Sequence, residues 1–386
     1  MIRSKRSSGA NRVRPAVVLL DGQSRAALAI VRQLGSQGIP VWVGSQEPLA
    51  FAGYSRHAVG RFRYPRDESG PDEARHRLIE RLRGYAPAVV MPTADEGWRL
   101  CHAIVRELPE GITIAPNPGA ALFEALHDKD SLAGIARRCG VASPRTWAPA
   151  EAARLARAGQ LRFPALWKPR RSFGGVGIER VEDLQRLEAL LPGASDAVVQ
   201  EWIEGEDVSA TALAESGRTL AVATYRVLRQ HPARYGPAVA AETIADEVLE
   251  HRIEHLLASI EYSGVANLDL RREKETGELY LVDFNARFGG TTEIALEAGV
   301  DVVSMLYDLV TGETPQSRPR MRAGVEFSWA FYGEIHHLAE QGSVRKALAW
   351  AARLRQSRTN GSWRDPLPHG VQLLSGALRR QWGRVP

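Results

Sequence analysis

Residues 278–290 read Glu-Leu-Tyr-Leu-Val-Asp-Phe-Asn-Ala-Arg-Phe-Gly-Gly. In an extended strand, alternate side chains point to opposite faces, so Asp283, Asn285 and Arg287 share one face. Carboxylate and amide oxygens are ligands that Mg²⁺ accepts, and an arginine fork pairs well with phosphate oxygens. The stretch predicts either a cation site beside a polyphosphate or the solvated polar edge of a sheet, and by itself it favours neither.

Composition and length bound the class of protein. The chain has 386 residues, 44% of them hydrophobic and 25% charged, which fits a globular protein of two or three domains. No apolar run approaches the roughly 18 residues of a membrane span. The run at residues 16–20 stops at Asp21 and is too short for a signal peptide. Cys101 and Cys139 lack metal or disulfide spacing, so we expect a cytoplasmic protein.

The charge of the chain is modest and is densest at its two ends. The formal net charge is +5, without the clustered basic face that nucleic acid needs, so no nucleic-acid partner is expected. Lysine is rare, since only five of the 50 basic residues are Lys. A lysine kept in such an arginine-rich chain indicates a position that needs a compact ammonium group.

The first part of the chain alternates apolar strands with amphipathic helices. This rhythm predicts an N-terminal α/β domain with a parallel sheet at residues 14–116, after a disordered tail at residues 1–13. The predicted strands are residues 16–20, 41–43, 86–91 and 112–114, and the predicted helices are residues 24–34 and 95–106.

Residues 117–320 follow a different, α+β pattern. The predicted helices are residues 127–140, 247–260 and 301–311, and the predicted strands are residues 166–168, 198–203, 208–214, 220–228, 265–270 and 279–284. The last two strands form a hairpin around a Glu-Thr-Gly turn. Residues 321–386 are predicted as a mostly helical C-terminal extension. We expect its basic amphipathic stretch, residues 344–355, to pack on its own domain. The less favoured alternative is that it lies on a membrane surface or a partner.

Three further motifs accompany the opening stretch. Lys168 precedes the glycine-rich turn at residues 172–177, where backbone N–H groups can approach phosphate oxygens. Residues 200–207 form a strand and turn whose backbone can pair with an adenine edge and whose later acid can bind ribose. Asp269 lies on the strand before the opening one, and a hairpin brings it to Asp283, where two carboxylates favour a divalent cation. Taken singly, the turn also fits a flexible hairpin, and residues 200–207 fit an acidic surface loop.

In this order the motifs resemble the ATP-grasp superfamily over roughly residues 125–312. The resemblance implies a two-lobed ATP-grasp domain behind the α/β domain, with ATP and two Mg²⁺ ions bound and Mn²⁺ as an alternative ion. It assigns nucleotide contacts to Lys129, Lys168, Ser172, Gly174, Gly175, Gly177, Gln200, Glu201, Trp202, Ile203 and Asp207. It assigns metal ligation to Asp269, Asp283 and Asn285, and catalytic roles to Lys168 and Arg287.

The chain departs from the family pattern at some of these positions. Gln200 stands where many relatives have Glu, and Asp207, Asp269 and Asp283 replace commoner Glu residues. Bridging of two metals by Asp283 is therefore left open. The resemblance implies a ligase that joins a carboxylate, of an amino acid or small acid, to an amine through an acyl phosphate. The chain looks nearest to the carboxylate–amine ligase branch that includes D-aspartate ligase. The alternative is a nucleotide-binding regulatory or scaffold protein with weak or no turnover.

The sequence determines the substrate contacts less well. Residues 93–96, Thr-Ala-Asp-Glu, are either an amine contact or, the favoured interpretation, the cap and first turn of a helix. Arg226, Arg229 and Arg234 either bind substrate carboxylates or phosphates or lie on the surface. Residues 21–24 lack the three-glycine dinucleotide fingerprint, which disfavours a dehydrogenase. Oligomerisation and peripheral membrane contact through the basic C-terminal region stay open.

Overall fold

The computed structural model of the chain describes residues 14–65, 71–172, 174–232, 235–313, 317–334, 345 and 358–382. Over these residues the strands form three sheets, of five, seven and four strands. No helix in the described part of the chain is long and apolar enough to cross a membrane. The predicted tail at residues 1–13 lies outside the described residues, as does the amphipathic stretch 344–355 apart from residue 345.

A parallel five-stranded sheet forms the first domain. Its strands are Ala16–Leu20 (β1), Val41–Ser45 (β2), Gly60–Arg63 (β3), Ala88–Pro92 (β4) and Ile112–Ile114 (β5), in the order β3-β2-β1-β4-β5. Its helices are Arg25–Ser36 (α1), Pro71–Arg83 (α2) and Asp95–Ile104 (α3). The central strands β1 and β4 are apolar and almost wholly buried, as expected where helices cover a parallel sheet. The predicted α/β domain is confirmed, and β3 and α2 are additional elements.

A pair of helices leads from the first domain into the second. The predicted helix at residues 127–140 corresponds to Lys129–Arg138 (α5), and Ala120–His127 (α4) before it was not predicted. The break falls at Asp128, whose backbone is extended and whose carboxylate accepts a hydrogen bond from Ser131 N at 3.0 Å. This bond caps α5, so Lys129 is the first residue of a helix and its position is fixed by the cap.

Residues 146–201 form the small lobe, a four-stranded sheet with two helices. The strands are Thr146–Trp147 (β6), Ala165–Pro169 (β7), Glu179–Val181 (β8) and Ala197–Glu201 (β9), in the order β6-β9-β7-β8, and the helices are Pro149–Arg157 (α6) and Leu184–Leu190 (α7). Strands β7 and β9 are antiparallel, with Leu166 opposite Gln200. Buried side chains that include Ala153, Leu187 and Val199 form a hydrophobic core of this lobe alone.

The large lobe contains the opening stretch of sequence. Its strands are Gly205–Glu215 (β10), Arg218–Gln230 (β11), Ala238–Thr243 (β12), Gly264–Glu273 (β13), Leu279–Asn285 (β14) and Glu326–Ser328 (β15), in the order β14-β13-β10-β11-β12-β15, and its helices are Glu247–Ser259 (α8), Thr292–Glu297 (α9) and Val302–Val310 (α10). Strands β13 and β14 form the predicted hairpin, with Asp269 opposite Asp283. The core of this lobe is continuous with that of the first domain.

The C-terminal extension is joined to the rest of the fold at two places. Arg358–Thr359 (β16) pairs with β15 and extends the large-lobe sheet, and Leu367–Trp382 (α11) follows it. Between them the buried Asp365 accepts hydrogen bonds from Arg32 Nε at 2.9 Å, Ser55 Oγ at 2.7 Å and Arg56 N at 2.9 Å. The prediction of a mostly helical extension misses β15 and β16, because strands of two or three residues carry no periodic pattern.

Candidate functional site

A cavity of about 1040 Å³ lies where the first domain, the small lobe and the large lobe meet. All the site residues expected from the sequence, except Gly177, line this cavity: Lys129, Lys168, Ser172, Gly174, Gly175, Gln200, Glu201, Trp202, Ile203, Asp207, Asp269, Asp283, Asn285 and Arg287. The fold therefore brings together residues that are far apart in the sequence, while their individual roles stay predictions.

Two of the five lysines are buried at this cavity. Lys129 Nζ lies 3.3 Å from Ser172 Oγ, and Lys168 Nζ donates to Gln200 Oε1 at 2.7 Å. Gln200 can reach Lys168 because the two residues are diagonal neighbours on β9 and β7. Its amide in turn donates to Thr146 Oγ1 at 3.1 Å. Burial, and next the charge of Lys129, lowers the pKa of Lys168 to about 8.

The glycine-rich turn after β7 packs against residues 235–237 at the edge of the cavity. Gly174, Gly175 and Gly177 all have positive φ angles. A Cβ atom on Gly175 would also overlap the carbonyl group of Tyr235, so this position needs glycine for both its conformation and its contact. Backbone N–H groups presented by such a turn suit phosphate oxygens. Residue 173 lies outside the described residues.

The end of β9 carries the segment predicted to contact adenine. Trp202 lies between two arginines, with the Cζ atoms of Arg180 and Arg271 at 5.1 and 4.8 Å from its ring centroid. Arg271 Nε also donates to the carbonyl oxygen of Ile203. A carbonyl oxygen can accept two hydrogen bonds, so the predicted adenine contacts with the backbones of Glu201 and Ile203 stay possible and stay predictions.

Asp207, the predicted ribose ligand, is held by two neighbouring side chains. Its Oδ1 accepts from Arg271 Nη1 at 2.6 Å, and its Oδ2 accepts from Gln230 Nε2 at 3.1 Å. An ionised carboxylate has about four acceptor sites, so both oxygens can still accept from ribose hydroxyl groups. The two bonds orient Asp207 at the cavity without excluding the predicted contact.

The three predicted metal ligands meet on the β13–β14 hairpin. Asp269 and Asp283 are register partners, and Asn285 Nδ2 lies 3.3 Å from Asp283 Oδ2. Ser209 Oγ donates to Asp269 Oδ1 at 2.7 Å. Burial, followed by the nearby charge of Asp283, raises the pKa of Asp269 to about 7. The two carboxylates therefore repel each other.

The chemistry of this trio fits a hard divalent cation. Each member offers an oxygen atom, which is the ligand type that Mg²⁺ prefers, and a bound cation would relieve the repulsion between Asp269 and Asp283. Across the described ranges no cluster of three His, Cys, Asp or Glu side chains could hold a metal ion. A metal at the hairpin would therefore take the amide of Asn285 or oxygens from ATP and water in addition to the two carboxylates.

Arg287 lines the cavity just beyond the end of β14. Its Nε donates to Asp95 Oδ1, and its Nη1 donates to the Phe288 carbonyl at 3.3 Å. Asp95 is the first residue of α3, but its carboxylate caps no backbone N–H of that helix. Residues 95 and 96 are the expected first-turn acids, and the residue at the N-cap position, Ala94, makes no side-chain capping bond. Because the carboxylate is committed to a guanidinium, Glu96 is the acid of this pair that lines the cavity.

The first domain contributes a cavity wall, in which the sequence analysis did not identify Arg25. Arg25, the first residue of α1, lines the cavity, donates from Nη1 to Ala238 O at 2.8 Å and lies 5.1 Å from the Trp329 ring centroid. Gly290 leaves room for it, since a Cβ there would lie 2.6 Å from Arg25 Nη2. Residues directly after β1 lie at the carboxyl edge of a parallel sheet, where ligands bind. That position is the signal that could have identified Arg25.

The arginines considered as substrate ligands lie elsewhere. Arg226 pairs with Glu242 at 2.7 Å, and Arg229 pairs with the buried Glu334 at 2.6 Å. Neither arginine lines the cavity, so the structure does not support a substrate contact for either. Arg234 falls outside the described residues.

The two lobes, the glycine turn and the paired acids line one cavity. The profile of the ATP-grasp domain family matches residues 128–291, a range that begins just before Lys129 and ends just after Gly290. Residues 128–291 therefore match the ATP-grasp domain family, as the motifs predict.

Curated relatives match parts of the chain at low identity. The carbamoyl phosphate synthase large chain of Clostridium perfringens (strain SM101 / Type A) is 23% identical over 207 residues, which is 50% of this chain and 19% of that protein. The D-alanine–D-alanine ligase of Xylella fastidiosa (strain Temecula1 / ATCC 700964) is 26% identical over 166 residues, 38% of this chain and 52% of that protein. The chain thus spans about a fifth of the length of the first relative and half of the second.

A solved structure supports the same fold. The biotin carboxylase domain of 2-oxoglutarate carboxylase from Hydrogenobacter thermophilus matches with a TM-score of 0.63 and 18% identity, covering 82% of this chain and 74% of that one. At this identity the likeness establishes the fold alone, and it confirms the predicted arrangement of α/β domain and ATP-grasp domain. The branch that includes D-aspartate ligase is not distinguished by these comparisons and stays a prediction.

Proposed function

We propose that the chain is an ATP- and Mg²⁺-dependent ligase that joins a carboxylate to an amine and releases ADP and phosphate. The observation that carries the proposal is one cavity lined by both buried lysines, the glycine turn, the Asp269–Asp283–Asn285 trio and Arg287. Each of these groups, taken alone, is compatible with a purely structural role. Their convergence on a cavity large enough for a nucleotide and a second small molecule fits ATP-driven group transfer.

In this proposal each charged group acts on one part of ATP. Lys129, Lys168 and the glycine turn bind phosphate oxygens, and the trio on the hairpin holds Mg²⁺, with two ions in the full site. When bound, Mg²⁺ neutralises phosphate charge and aligns the phosphoryl group. Arg287 stabilises the charge that shifts during transfer. The protein thus contributes positioning and electrostatics, and the substrates supply the reacting atoms.

The proposed reaction has two steps. A carboxylate oxygen of the acid attacks the γ-phosphorus, the bond to the β,γ-bridging oxygen breaks, and ADP leaves with the bonding electrons. The amine nitrogen then attacks the carbonyl carbon of the acyl phosphate, phosphate leaves, and the nitrogen loses a proton to give the amide. No nucleophilic side chain of the protein enters either step.

The names of the similar proteins support this class of reaction. D-alanine–D-alanine ligase is named as a ligase of amino acids, and the biotin carboxylase domain was crystallised with MgADP and bicarbonate. These acids are named for the similar proteins, and we do not assign them to this chain. For this chain we propose only that it binds the nucleotide, Mg²⁺ and small-molecule substrates. The first-domain wall that includes Arg25 and Glu96 is where we expect the acid and the amine to be selected.

Release of ADP tests the proposal. The purified full chain is supplied with Mg·ATP and a matrix of amino acids, small acids and amines, and ADP is followed with a coupled enzymatic assay. We expect release to require both an acid and an amine. Lys168→Met should abolish release, whereas Lys274→Met makes the same change at an exposed lysine and should have no effect.

Trapping of the acyl phosphate gives a second readout. Hydroxylamine in place of the amine should yield a hydroxamate of the acid, and oxygen label in the acid's carboxylate should appear in the released phosphate. Nucleotide binding without ADP release for any pair would favour the regulatory or scaffold alternative. A failure of the full chain to bind ATP or ADP in the presence of Mg²⁺ would overturn the ATP assignment itself.

A further inference from the structure

The side chain of Arg287 is fixed from outside its own lobe. It follows β14 of the large lobe, yet its Nε donates to Asp95, the first residue of α3 in the first domain. Both side chains are mostly buried, with Arg287 15% and Asp95 16% exposed. Arg287 Nη1 donates to Phe288 O, and within the described ranges Nη2 has no hydrogen-bond acceptor. One nitrogen of the guanidinium is therefore left for a ligand in the cavity.

Asp95 is itself held between two helices. His127 Nε2 lies 3.3 Å from Asp95 Oδ1, and His127 Nδ1 donates to Phe123 O at 2.8 Å. The rings of Trp98, His102, Phe123 and His127 form a column between α3 and α4, with successive centroids 5.9, 5.2 and 4.3 Å apart. A carboxylate packed against such a column has little freedom to rotate.

A second connection holds the backbone beside Arg287. Asn117, in the segment after the first domain, donates from Nδ2 to Ala286 O at 2.8 Å. His102 Nε2 lies 3.0 Å from Asn117 Oδ1. Helix α3 therefore restrains this segment at two points. Asp95 binds the side chain of residue 287, and His102 holds Asn117, which binds the carbonyl of residue 286. The main chain and the guanidinium are restrained from the same helix.

The Asp95 carboxylate is kept ionised by its neighbours. Burial alone would raise its pKa, but the charge of Arg287 and the contact with His127 outweigh burial and hold the pKa of Asp95 below its ordinary value. Hydrogen bonds between charged groups are stronger and more directional than neutral ones. The pair can therefore fix the orientation of the guanidinium without using Nη2.

We propose that Asp95 is a positioning residue, which aligns Arg287 with the γ-phosphate of ATP and so couples the first domain to the nucleotide site. The inference rests on the proposed function, because it needs Arg287 to contact a phosphate. Asp95 touches no substrate and acts only through the guanidinium. Without its carboxylate, Arg287 regains rotational freedom, and a misplacement of about 1 Å can cost up to about 100-fold.

Nucleotide selectivity tests this inference without knowledge of the acid or amine. Calorimetry in the presence of Mg²⁺ measures the affinities of the full chain for ADP and for the β,γ-imido analogue of ATP. We expect the wild type to prefer the analogue, and Asp95→Asn to lose about 10-fold or more of that preference while its affinity for ADP stays within about twofold. Asp95→Glu, which keeps the charge, should restore part of the preference.

A double variant separates positioning from a general structural role. If Asp95 acts through Arg287, then Asp95→Asn should have no further effect in the Arg287→Ala background. Glu215→Gln removes an acid from an exposed ion pair with Arg218 and is the matched control, expected to match the wild type. Thermal unfolding of every variant reports whether the fold is kept.

The outcomes distinguish this inference from the proposed function. A wild type that binds neither nucleotide overturns the proposed function. A wild type that binds both equally, or an Asp95→Asn variant that keeps the wild-type preference, overturns the positioning role alone. Equal weakening of ADP and analogue, together with a lowered melting temperature, also overturns it, because a merely structural residue would behave in that way.

Discussion

The ammonium group of Lys168 gives a quantitative prediction about pH. Burial, and then the charge of Lys129, lowers the pKa of Lys168 to about 8, from an ordinary value of 10.5. Bound phosphate would bring negative charge to the same nitrogen and raise the pKa again. Nucleotide binding should therefore take up a proton wherever the free protein has lost it, which is above about pH 8.

The magnitude follows from the fraction of Lys168 that is charged. With a pKa of about 8 the fraction is about nine-tenths near pH 7 and about one-tenth near pH 9. If only the charged form binds, affinity for Mg·ATP should fall about tenfold between these two conditions. Binding should take up about 0.9 proton near pH 9 and about 0.1 proton near pH 7.

Calorimetry in pairs of buffers that differ in ionisation enthalpy measures both quantities. The slope of the observed enthalpy against the buffer enthalpy gives the number of protons taken up. Lys168→Met should bind weakly at every pH and show no uptake near pH 9. Lys274→Met, at an exposed position, should reproduce the wild-type uptake and its pH dependence.

Two results would refute this reasoning. Wild-type protein that binds Mg·ATP equally near pH 7 and pH 9 without proton uptake would mean that Lys168 stays charged in the free protein or makes no phosphate contact. Uptake that persists unchanged in Lys168→Met would assign the titration to another group of the site.

Three further substitutions test other parts of the structure. Asp365→Ala should cost about 3 kcal/mol of stability and expose the C-terminal extension to proteases. The control Arg364→Ala should do neither. Equal digestion of the two variants would contradict the docking of the extension through Asp365. Burial raises the pKa of Asp21 to about 6 from 3.8, so the folded state holds this proton more tightly than the unfolded chain does. The free energy of unfolding should therefore fall by up to about 3 kcal/mol as the pH rises from about 4 to about 6. Urea titrations should find this fall of stability with pH absent in Asp21→Asn. An unchanged pH dependence in that variant would exclude Asp21 as its source. Gly175→Ala should weaken nucleotide binding about tenfold or more because residue 175 has positive φ and a close carbonyl neighbour, whereas Gly193→Ala, in open space, should bind as the wild type does.

The elements that the sequence predicts best are those with strong local patterns. Strand β1 is a run of apolar residues and β13 alternates apolar with polar residues, and their predicted bounds agree with the structure to within a few residues. Strand β12 was missed because its sequence, Ala-Val-Ala-Ala-Glu-Thr, is rich in alanine and has low strand propensity. Its conformation depends on pairing with β11 and β15, which no local pattern reveals.

Within the candidate site, too, the residues on local motifs could be predicted and the contact between domains could not. The residues expected at the nucleotide lie on consecutive motifs of one domain, and the structure brings nearly all of them to one cavity. The contact between Asp95 and Arg287 could not be predicted, because it depends on how two domains pack. Asp95 and Arg287 are 192 positions apart, and nothing near either residue in the sequence indicates their contact.

The separate hydrophobic core of the small lobe has a consequence for how the chain unfolds. The first domain and the large lobe share one core, and the small lobe packs around its own. The core of the small lobe shares no buried apolar side chain with the larger core, so the two need not melt together, and one melting temperature need not describe this chain. A nucleotide that binds Lys168 on one side and the β13–β14 hairpin on the other would link the two units. Saturating ATP is then expected to merge two calorimetric transitions into one, and ligand occupancy would set the cooperativity of unfolding.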